Sequence, residues 1–319
     1  MNLYQECKDA KTIAISAHIR PDGDAIGSCM SMYLYLNKRI PGVKIDVYLD
    51  PIADYFLCIK DSDKIQNAIP EDKKDAIYDV FICVDCNPER MSFGQELFAN
   101  ARKRINIDHH ITNADGQGDV NFVDPASGSA AELVYQVLDK DFLDADIALP
   151  IYIGIIHDTG VLQYSNVRPS TLNIVAELIK FDIGFPAVIQ KTFYEKTYVQ
   201  TKLLAQALLD TKILMGGRCA ASVISKAAMD ELGADSRDLE GIVNQMRYIR
   251  GVDCAIFMYE LASGEYKVSL RTSKYVDASK VTFTFGGGGH EKAAGVTMSG
   301  TPDEITEKLI AEVQKQLNK

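Results

Sequence analysis

The chain has 319 residues, 47% apolar and 24% charged, with a formal net charge of −10 and no tryptophan. That length suits two domains or one large one, each with its own core. The acidic balance argues against a broad platform for duplex DNA, although metals or a few arginines can reverse the sign locally for a small anion. The start, "MNLYQECKDAKTIAIS", has no basic region leading into an apolar one, so no signal peptide is expected. The most apolar segment, "IALPIYIGII", is too short for a membrane span. Seven cysteines without a secretory signal read as reduced thiols of a cytoplasmic protein. Cys83 and Cys86 form a lone C-x-x-C inside an apolar run, which favours small core residues over a zinc or redox pair.

In chain order, short apolar runs alternate with helical patterns, the mark of βα units and a mostly parallel sheet flanked by helices. "TIAISA" (12–17) predicts a strand, followed by a helix over 25–38. "KIDVYL" (44–49), "DVFICVD" (79–85) and "RINID" (104–108) predict three more strands, and "DVNFVD" (119–124) a fifth. Helices are expected over 129–138, 145–157 and 170–180. Residues 186–210 read as one long helix linking two domains, 1–185 and 211–319. Beyond it, "CAASVIS" (219–225), "CAIFMYEL", "YKVSLRT" and "VTFTF" predict strands, with helix over 226–248, giving a smaller α+β domain with a largely antiparallel or mixed sheet. The closing "TPDEITEKLIAEVQKQL" predicts a helix capped by Thr301 and Glu304, with Ile305, Leu309, Val313 and Leu317 on one face.

Open α/β sheets bind ligands at the carboxyl ends of their strands. His18, Asp22 and Asp24 follow the first strand, and Asp85 ends the third. Asp108, His109 and His110 end the fourth, and His157 and Asp158 end an apolar helix. Taken singly, an aspartate before a helix is more often an N-cap, and one at a strand end a turn residue. Taken together, four segments deliver aspartate or histidine to one sheet edge, and carboxylates crowded there would repel unless cations neutralised them. Mixed imidazole and carboxylate ligands suit Mn²⁺, with Mg²⁺, Co²⁺, Zn²⁺ or Fe²⁺ as alternatives, and two such ions are the usual arrangement for hydrolysing phosphate esters.

"HIRPDGDAIGS", "VDCN", "IDHH" and "IIHDTG" resemble the first four motifs of the DHH phosphoesterase family, and "FGGGGHEKAAG" (285–295) resembles the signature of the DHH-associated C-terminal domain. The resemblance implies that His18 and Asp22 bind one metal, that Asp24, His109 and Asp158 bind a second, and that Asp85 bridges both. It implies catalytic roles for His110, facing the substrate, and for Asp108, orienting a neighbour. Arg271, Gly287, Gly288 and His290 are implied to hold substrate phosphate, with the active site in the interdomain cleft and a metal-activated hydroxide attacking phosphorus. His157 has no counterpart in the pattern, and a local structural role is expected for it.

Within the family, a two-domain chain resembles the stand-alone nanoRNase and pAp (3′-phosphoadenosine-5′-phosphate) phosphatase group. RecJ-like exonucleases carry a further domain, and membrane-bound cyclic-di-AMP phosphodiesterases carry transmembrane segments. Family II pyrophosphatases lack the glycine-histidine loop. The expected partner is short RNA or a nucleotide phosphate, with neither duplex DNA nor membrane, and a homodimer is left open. A soluble cyclic-di-AMP or linear-dinucleotide phosphodiesterase is the nearest alternative. From another class, a non-catalytic nucleotide-binding sensor predicts a lost ligand, and none is missing. An RNA-binding second domain would use Phe283, Phe285 and Tyr275 for stacking, and strand aromatics are more often core.

Overall fold

The computed structural model describes residues 1–317, and the chain divides into two compact units, Met1–Glu195 and the part from Lys196 onward. In the first, α1 (Leu3–Cys7) leads into β1 (Thr12–Ser16), α2 (Gly23–Arg39), β2 (Lys44–Tyr48), β3 (Ile65–Gln66) and β4 (Val80–Val84). Then come α3 (Gln95–Asn100), β5 (Arg104–Asp108), β6 (Val120–Val123), α4 (Ala130–Val137), α5 (Ala145–Asp158), α6 (Pro169–Leu178) and α7 (Phe185–Ile189). The strands pair in parallel in the order β3-β2-β1-β4-β5-β6.

The strands read as unbroken apolar runs because the sheet is covered on both faces. Ile13, Ile15, Ile82, Val84, Ile105 and Ile107 point into one core with residues of α2, α4 and α5. Ala14, Phe81 and Cys83 point the other way, against Leu97 and Phe98 of α3. Chain order reverses direction between β1 and β4, so the crevice at their carboxyl ends is the natural ligand position. β3 was missed from sequence because two residues between single-turn helices carry no periodicity.

The helix expected over 186–210 is interrupted. α7 passes into a π-turn over Gln190–Tyr194, and α8 (Tyr198–Leu209) begins afresh, with Thr197 and Gln200 forming a reciprocal capping box. α8 belongs to the second unit and packs there, Leu203 and Ala207 lying in a core with Ala220, Ala255 and Phe257. It is followed by β7 (Lys212–Leu214), β8 (Cys219–Ile224), α9 (Lys226–Glu231), α10 (Ile242–Arg247), β9 (Cys254–Ala262) and β10 (Glu265–Thr272). α11 (Ala278–Phe283), β11 (Gly288–His290), β12 (Ala293–Ser299) and α12 (Pro302–Leu317) complete it.

The second sheet runs β11-β12-β10-β9-β8-β7, and only β8 and β9 pair in parallel, so it is mixed as expected. "VTFTF" is not a strand. Asp277 accepts bonds from the N–H groups of Ser279 and Lys280 and caps a helix, which turns Ala278, Val281 and Thr282 inward and leaves Phe283 outside. The strand that does pair there is β12, whose alternation of Ala294, Val296 and Met298 was masked by the adjoining glycines. The stretch 226–248 is two short helices separated by a capped single turn over Ser236–Leu239. α12 starts as predicted: Thr301 and Glu304 exchange bonds of 2.9 and 3.3 Å, and Ile305, Leu309 and Val313 are fully buried. Each of those three side chains contributes about 1.5–3 kcal/mol of apolar burial. Among the described residues, no helix is long and apolar enough to cross a membrane.

Candidate metal centre

Asp85 immediately follows β4 and lies between the two histidines nearest in space. Its Oδ2 is 3.3 Å from His18 Nε2, and its Oδ1 is 3.3 Å from His109 Nε2. The side chain is buried, and Oδ1 has no hydrogen-bond partner among the described residues. A buried carboxylate oxygen without a donor is costly unless a cation meets it. Asp85 also takes a left-handed backbone at φ 59°, which a non-glycine residue adopts at a cost of about 1–3 kcal/mol. Asn106, a polar residue in the middle of β5, holds that kink. Its amide donates to the carbonyls of Cys83 and Cys86, which bracket Asp85, at 3.1 and 3.0 Å. Cys83 and Cys86 themselves are buried thiols with sulfurs 3.7 Å apart.

Two further sets of donors close around Asp85. His18, Asp22 and Asp85 bring ligand atoms within 4.8 Å of one another, and so do Asp24, His109 and Asp158. In the first set, His18 Nδ1 donates to the Ile19 carbonyl at 2.9 Å, which fixes the ring with Nε2 turned toward the carboxylates. The His18 carbonyl accepts from Ser92 at 2.9 Å, and the Ile19 N–H donates to the Arg90 carbonyl, tying this loop to the segment after β4. Asp22 caps α2, its Oδ1 accepting from the N–H groups of Asp24 and Ala25. In the second set, His109 Nε2 lies 3.8 Å from Asp24 Oδ2 and 3.5 Å from Asp158 Oδ2. Asp24 is buried and accepts from the Ala130 and Ala131 N–H groups, at 2.6 and 2.8 Å, at the start of α4. Neither of these α4 amides was legible from sequence as part of the site.

The cluster holds more negative than positive charge. Burial, then the charges of Asp85 and Asp158, raises the Asp24 carboxyl well above its ordinary range. Burial and Asp85 also push Asp158 up to about 7, although His109 pulls the other way. Burial disfavours charge on His18 and His109, yet the surrounding carboxylates win and lift them to about 11 and about 10. Groups so placed retain protons because the pocket demands positive charge, and oxygen and imidazole donors suit a divalent cation in that role.

Asp108 and His110 form a pair at the edge of this cluster, His110 Nδ1 lying 3.7 Å from Asp85 Oδ1, and Asp85, His109 and His110 are a third set whose ligand atoms lie within 4.8 Å of one another. Asp108 Oδ1 accepts from His110 Nδ1 at 2.8 Å and from the backbone N–H groups of His109 and His110. Its Oδ2 accepts from Asn113 at 2.7 Å. Burial resists ionisation of Asp108, but the bonds from His110 and Asn113 hold its carboxyl below the usual range. The same bond to Asp108 raises the His110 imidazole despite burial. His157 stands apart. It is held neutral by burial, its pKa lowered to about 4, and its Nε2 meets Thr192 Oγ1 at 3.1 Å between the rings of Phe56 and Phe193.

The remaining predicted site residues lie on the second sheet, except Gly287, which immediately precedes β11. His290 of β11 is in register with Ala293 of β12, and Ala293 with Arg271 of β10. Directly opposed residues share a face, so Arg271 and His290 flank a small methyl two strands wide, about 10 Å across. Gly288, Gly295 and Ser269 form the next row on that face. Gly287 has a fold reason of its own, because a Cβ there would lie 2.5 Å from the Gly295 carbonyl oxygen.

An open α/β sheet whose carboxyl edge gathers three aspartates and two histidines around the Asp85 carboxylate has the arrangement of a divalent-metal phosphoesterase. The DHH family N-terminal domain matches residues 12–155 and the DHHA1 domain residues 216–319, and the chain belongs to the DHH family. It is 28% identical, over 96% of its length and 90% of the relative's, to the bifunctional oligoribonuclease and PAP phosphatase NrnA of Thermus thermophilus. It is 27% identical to the protein of that name from Bacillus subtilis, covering 90% of this chain and 89% of the relative. Among solved structures, an exopolyphosphatase-related protein from Bacteroides fragilis superposes with a TM-score of 0.88 at 23% identity, over 99% of this chain and 95% of that one. Exonuclease RecJ bound to manganese gives 0.51 at 12% identity, over 99% and 93%. These likenesses show the shared fold.

Proposed function

We propose that the chain hydrolyses short oligoribonucleotides, 3′-phosphoadenosine-5′-phosphate, or both, in the cytoplasm, with two divalent cations that are Mn²⁺ by preference. His18 and Asp22 would hold one cation, Asp24, His109 and Asp158 the other, and Asp85 would reach both. The observation that carries this reading is the Asp85 carboxylate, one oxygen 3.3 Å from each histidine and one of the two without a donor. Once bound, the cations would supply Lewis acidity at phosphorus and lower the pKa of a water. Relatives named for both activities match this chain along most of its length.

The chain's own residues supply the rest. His110, whose imidazolium form the bond to Asp108 favours, would hold a phosphoryl oxygen and return a proton to the leaving oxygen. Arg271 and His290 would hold a second phosphate over Ala293, with the exposed Gly288 beside it, while Gly287, whose N–H donates to the Thr282 carbonyl at 2.9 Å, shapes the turn. Asp108→Asn tests this division of labour. It should lower kcat about a hundredfold and leave the metal-binding midpoint nearly unchanged, as read by turnover and by titration with Mn²⁺. A parallel loss of metal affinity would instead make Asp108 part of the metal centre.

The primary test is a Mn²⁺-dependent panel of 3′-phosphoadenosine-5′-phosphate, a 5′-phosphorylated dinucleotide, a five-residue RNA, cyclic-di-AMP and pyrophosphate, with products separated by chromatography. Mononucleotides from the short RNAs, or AMP from the bisphosphate, are the expected products. Cleavage of cyclic-di-AMP alone or of pyrophosphate alone would replace this reading.

A further inference from the structure

His157 precedes the donor Asp158 at the end of α5, and the metal chemistry gives it no part. Its ring is a spacer. A Cβ on Gly23 would lie 2.3 Å from His157 Cγ and 2.7 Å from its Cδ2, so the first residue of α2 rests against the imidazole. α2 and α5 also meet through backbone atoms at Gly27 and Gly154, and the Gly23–His157 contact is one turn nearer the metal centre. Gly23 stands between Asp22 and Asp24, which belong to different donor sets. The ring therefore bears on the segment that carries one donor of each set, while its own backbone leads into Asp158.

The group that orients this ring is polar, in surroundings where an apolar side chain would pack as well. Phe56 and Phe193 lie 5.2 and 5.8 Å from it, centroid to centroid, contacts that a phenyl ring would serve equally. Nε2 instead meets Thr192 Oγ1 at 3.1 Å. Over residues 185–194, α7 and the π-turn that follows it, Thr192 is the one buried side chain. Val188 and Ile189 of the same segment are left half-buried. Burial of apolar area does not account for that choice, whereas a buried imidazole needs a partner. π-Turns are rare and frequent at functional sites. This one delivers a hydroxyl to His157.

We propose that His157 and Thr192 are positioning residues of the metal centre. The hydroxyl of the π-turn fixes the imidazole, and the imidazole sets the separation of Gly23 from the end of α5, hence the spacing of Asp22 and Asp24 from Asp158. Both residues act through the donors and not on the substrate. The proposal rests on the metal-centre reading given above and deepens it. Groups that orient ligands from behind carry about 10–100-fold of metal affinity or activity.

The test removes the bond from each side. Thr192→Val nearly keeps the shape of the side chain and loses the hydroxyl. In calorimetric titration of the full chain it should raise the Mn²⁺ midpoint about tenfold. Turnover at limiting Mn²⁺ should show a lower kcat and an unchanged KM, because the groups that hold substrate lie elsewhere. Thr192→Ser keeps the hydroxyl and should restore the wild-type midpoint. His157→Phe keeps a ring and loses the same bond, so it should match Thr192→Val, and the double variant should lose no more than either single one. Melts in chelator confirm that each chain titrated is folded. A purely structural role predicts a lower melting temperature with an unmoved midpoint, or losses that add in the double variant, and either result overturns the proposal. Because binding is read without turnover, the two readings fail separately. A wild-type chain that binds Mn²⁺ but hydrolyses nothing leaves the positioning role standing if the midpoints shift as stated. A wild-type chain that binds no Mn²⁺ removes the metal centre and the proposal with it.

Discussion

Asp85→Asn is expected to abolish turnover, by at least about a thousandfold, while leaving the fold intact. The substitution preserves shape and removes the one charge that faces both His18 and His109. It should also separate metal binding from stability. Without metal, the Asp85 charge repels the Asp24 and Asp158 carboxyls but pairs with the His18 and His109 imidazoles, so its removal has opposed effects on the fold. The variant should therefore melt within a few degrees of wild type in chelator, about 2–4 °C for each kcal/mol of imbalance. With Mn²⁺ the two should part. Wild type gains roughly 2.7 kcal/mol when metal is at a hundred times its dissociation constant, and the variant gains little. Thermal melts with and without Mn²⁺, beside turnover, read all three quantities. A variant that keeps its metal-induced shift would show that Asp85 does not join the two donor sets. A wild-type chain that binds nucleotide but turns nothing over would restore the sensor reading.

The parts of the site visible in sequence are those that stand at strand ends. Apolar runs placed β1 and β4, and the shorter Ile105 and Ile107 pattern placed β5; the polar residues at their carboxyl ends are His18, Asp85 and Asp108. The supporting contacts were not visible, because they are backbone groups or residues distant in the chain. Ala130 and Ala131 hold Asp24 through their amides, which any residue but proline possesses. Asn106 did leave a signal, a lone amide in the middle of a buried strand, and such a group must find partners. In the second unit the errors have one cause. Local propensity made "VTFTF" a strand, while the cap at Asp277 and the inward row Ala278, Val281 and Thr282 made it a helix. Glycines hid the two strands that follow, since a run of them carries no alternation to read.

Gly27→Ala should be the most damaging single methyl in the first unit, costing about 3 kcal/mol or more and lowering the melting temperature by roughly 10 °C. α2 and α5 meet at this glycine. An added Cβ would lie 2.2 Å from the Pro150 carbonyl oxygen and 2.9 Å from the Gly154 nitrogen. Both are backbone atoms, so no rotamer change makes room and the helices must part. The separation reaches the metal centre, because α2 begins beside Asp22 and Asp24 and α5 ends at Asp158. Gly154 has the same double duty, a Cβ there lying 2.9 Å from Asp24 Oδ1. Metal affinity should therefore fall with stability in Gly27→Ala, by about 10–100-fold as when groups that orient ligands are lost. Gly23→Ala should strain the same helix contact, because its Cβ would lie 2.3 and 2.7 Å from Cγ and Cβ of His157, the root of a side chain fixed by the α5 backbone, so rotation of the ring does not make room. Melts and Mn²⁺ titrations of the two variants decide the matter. A Gly27→Ala protein that melts like wild type would contradict the close helix contact. One that is destabilised yet keeps its metal midpoint would show that α2 and α5 hold the fold together without setting the distance between Asp24 and Asp158.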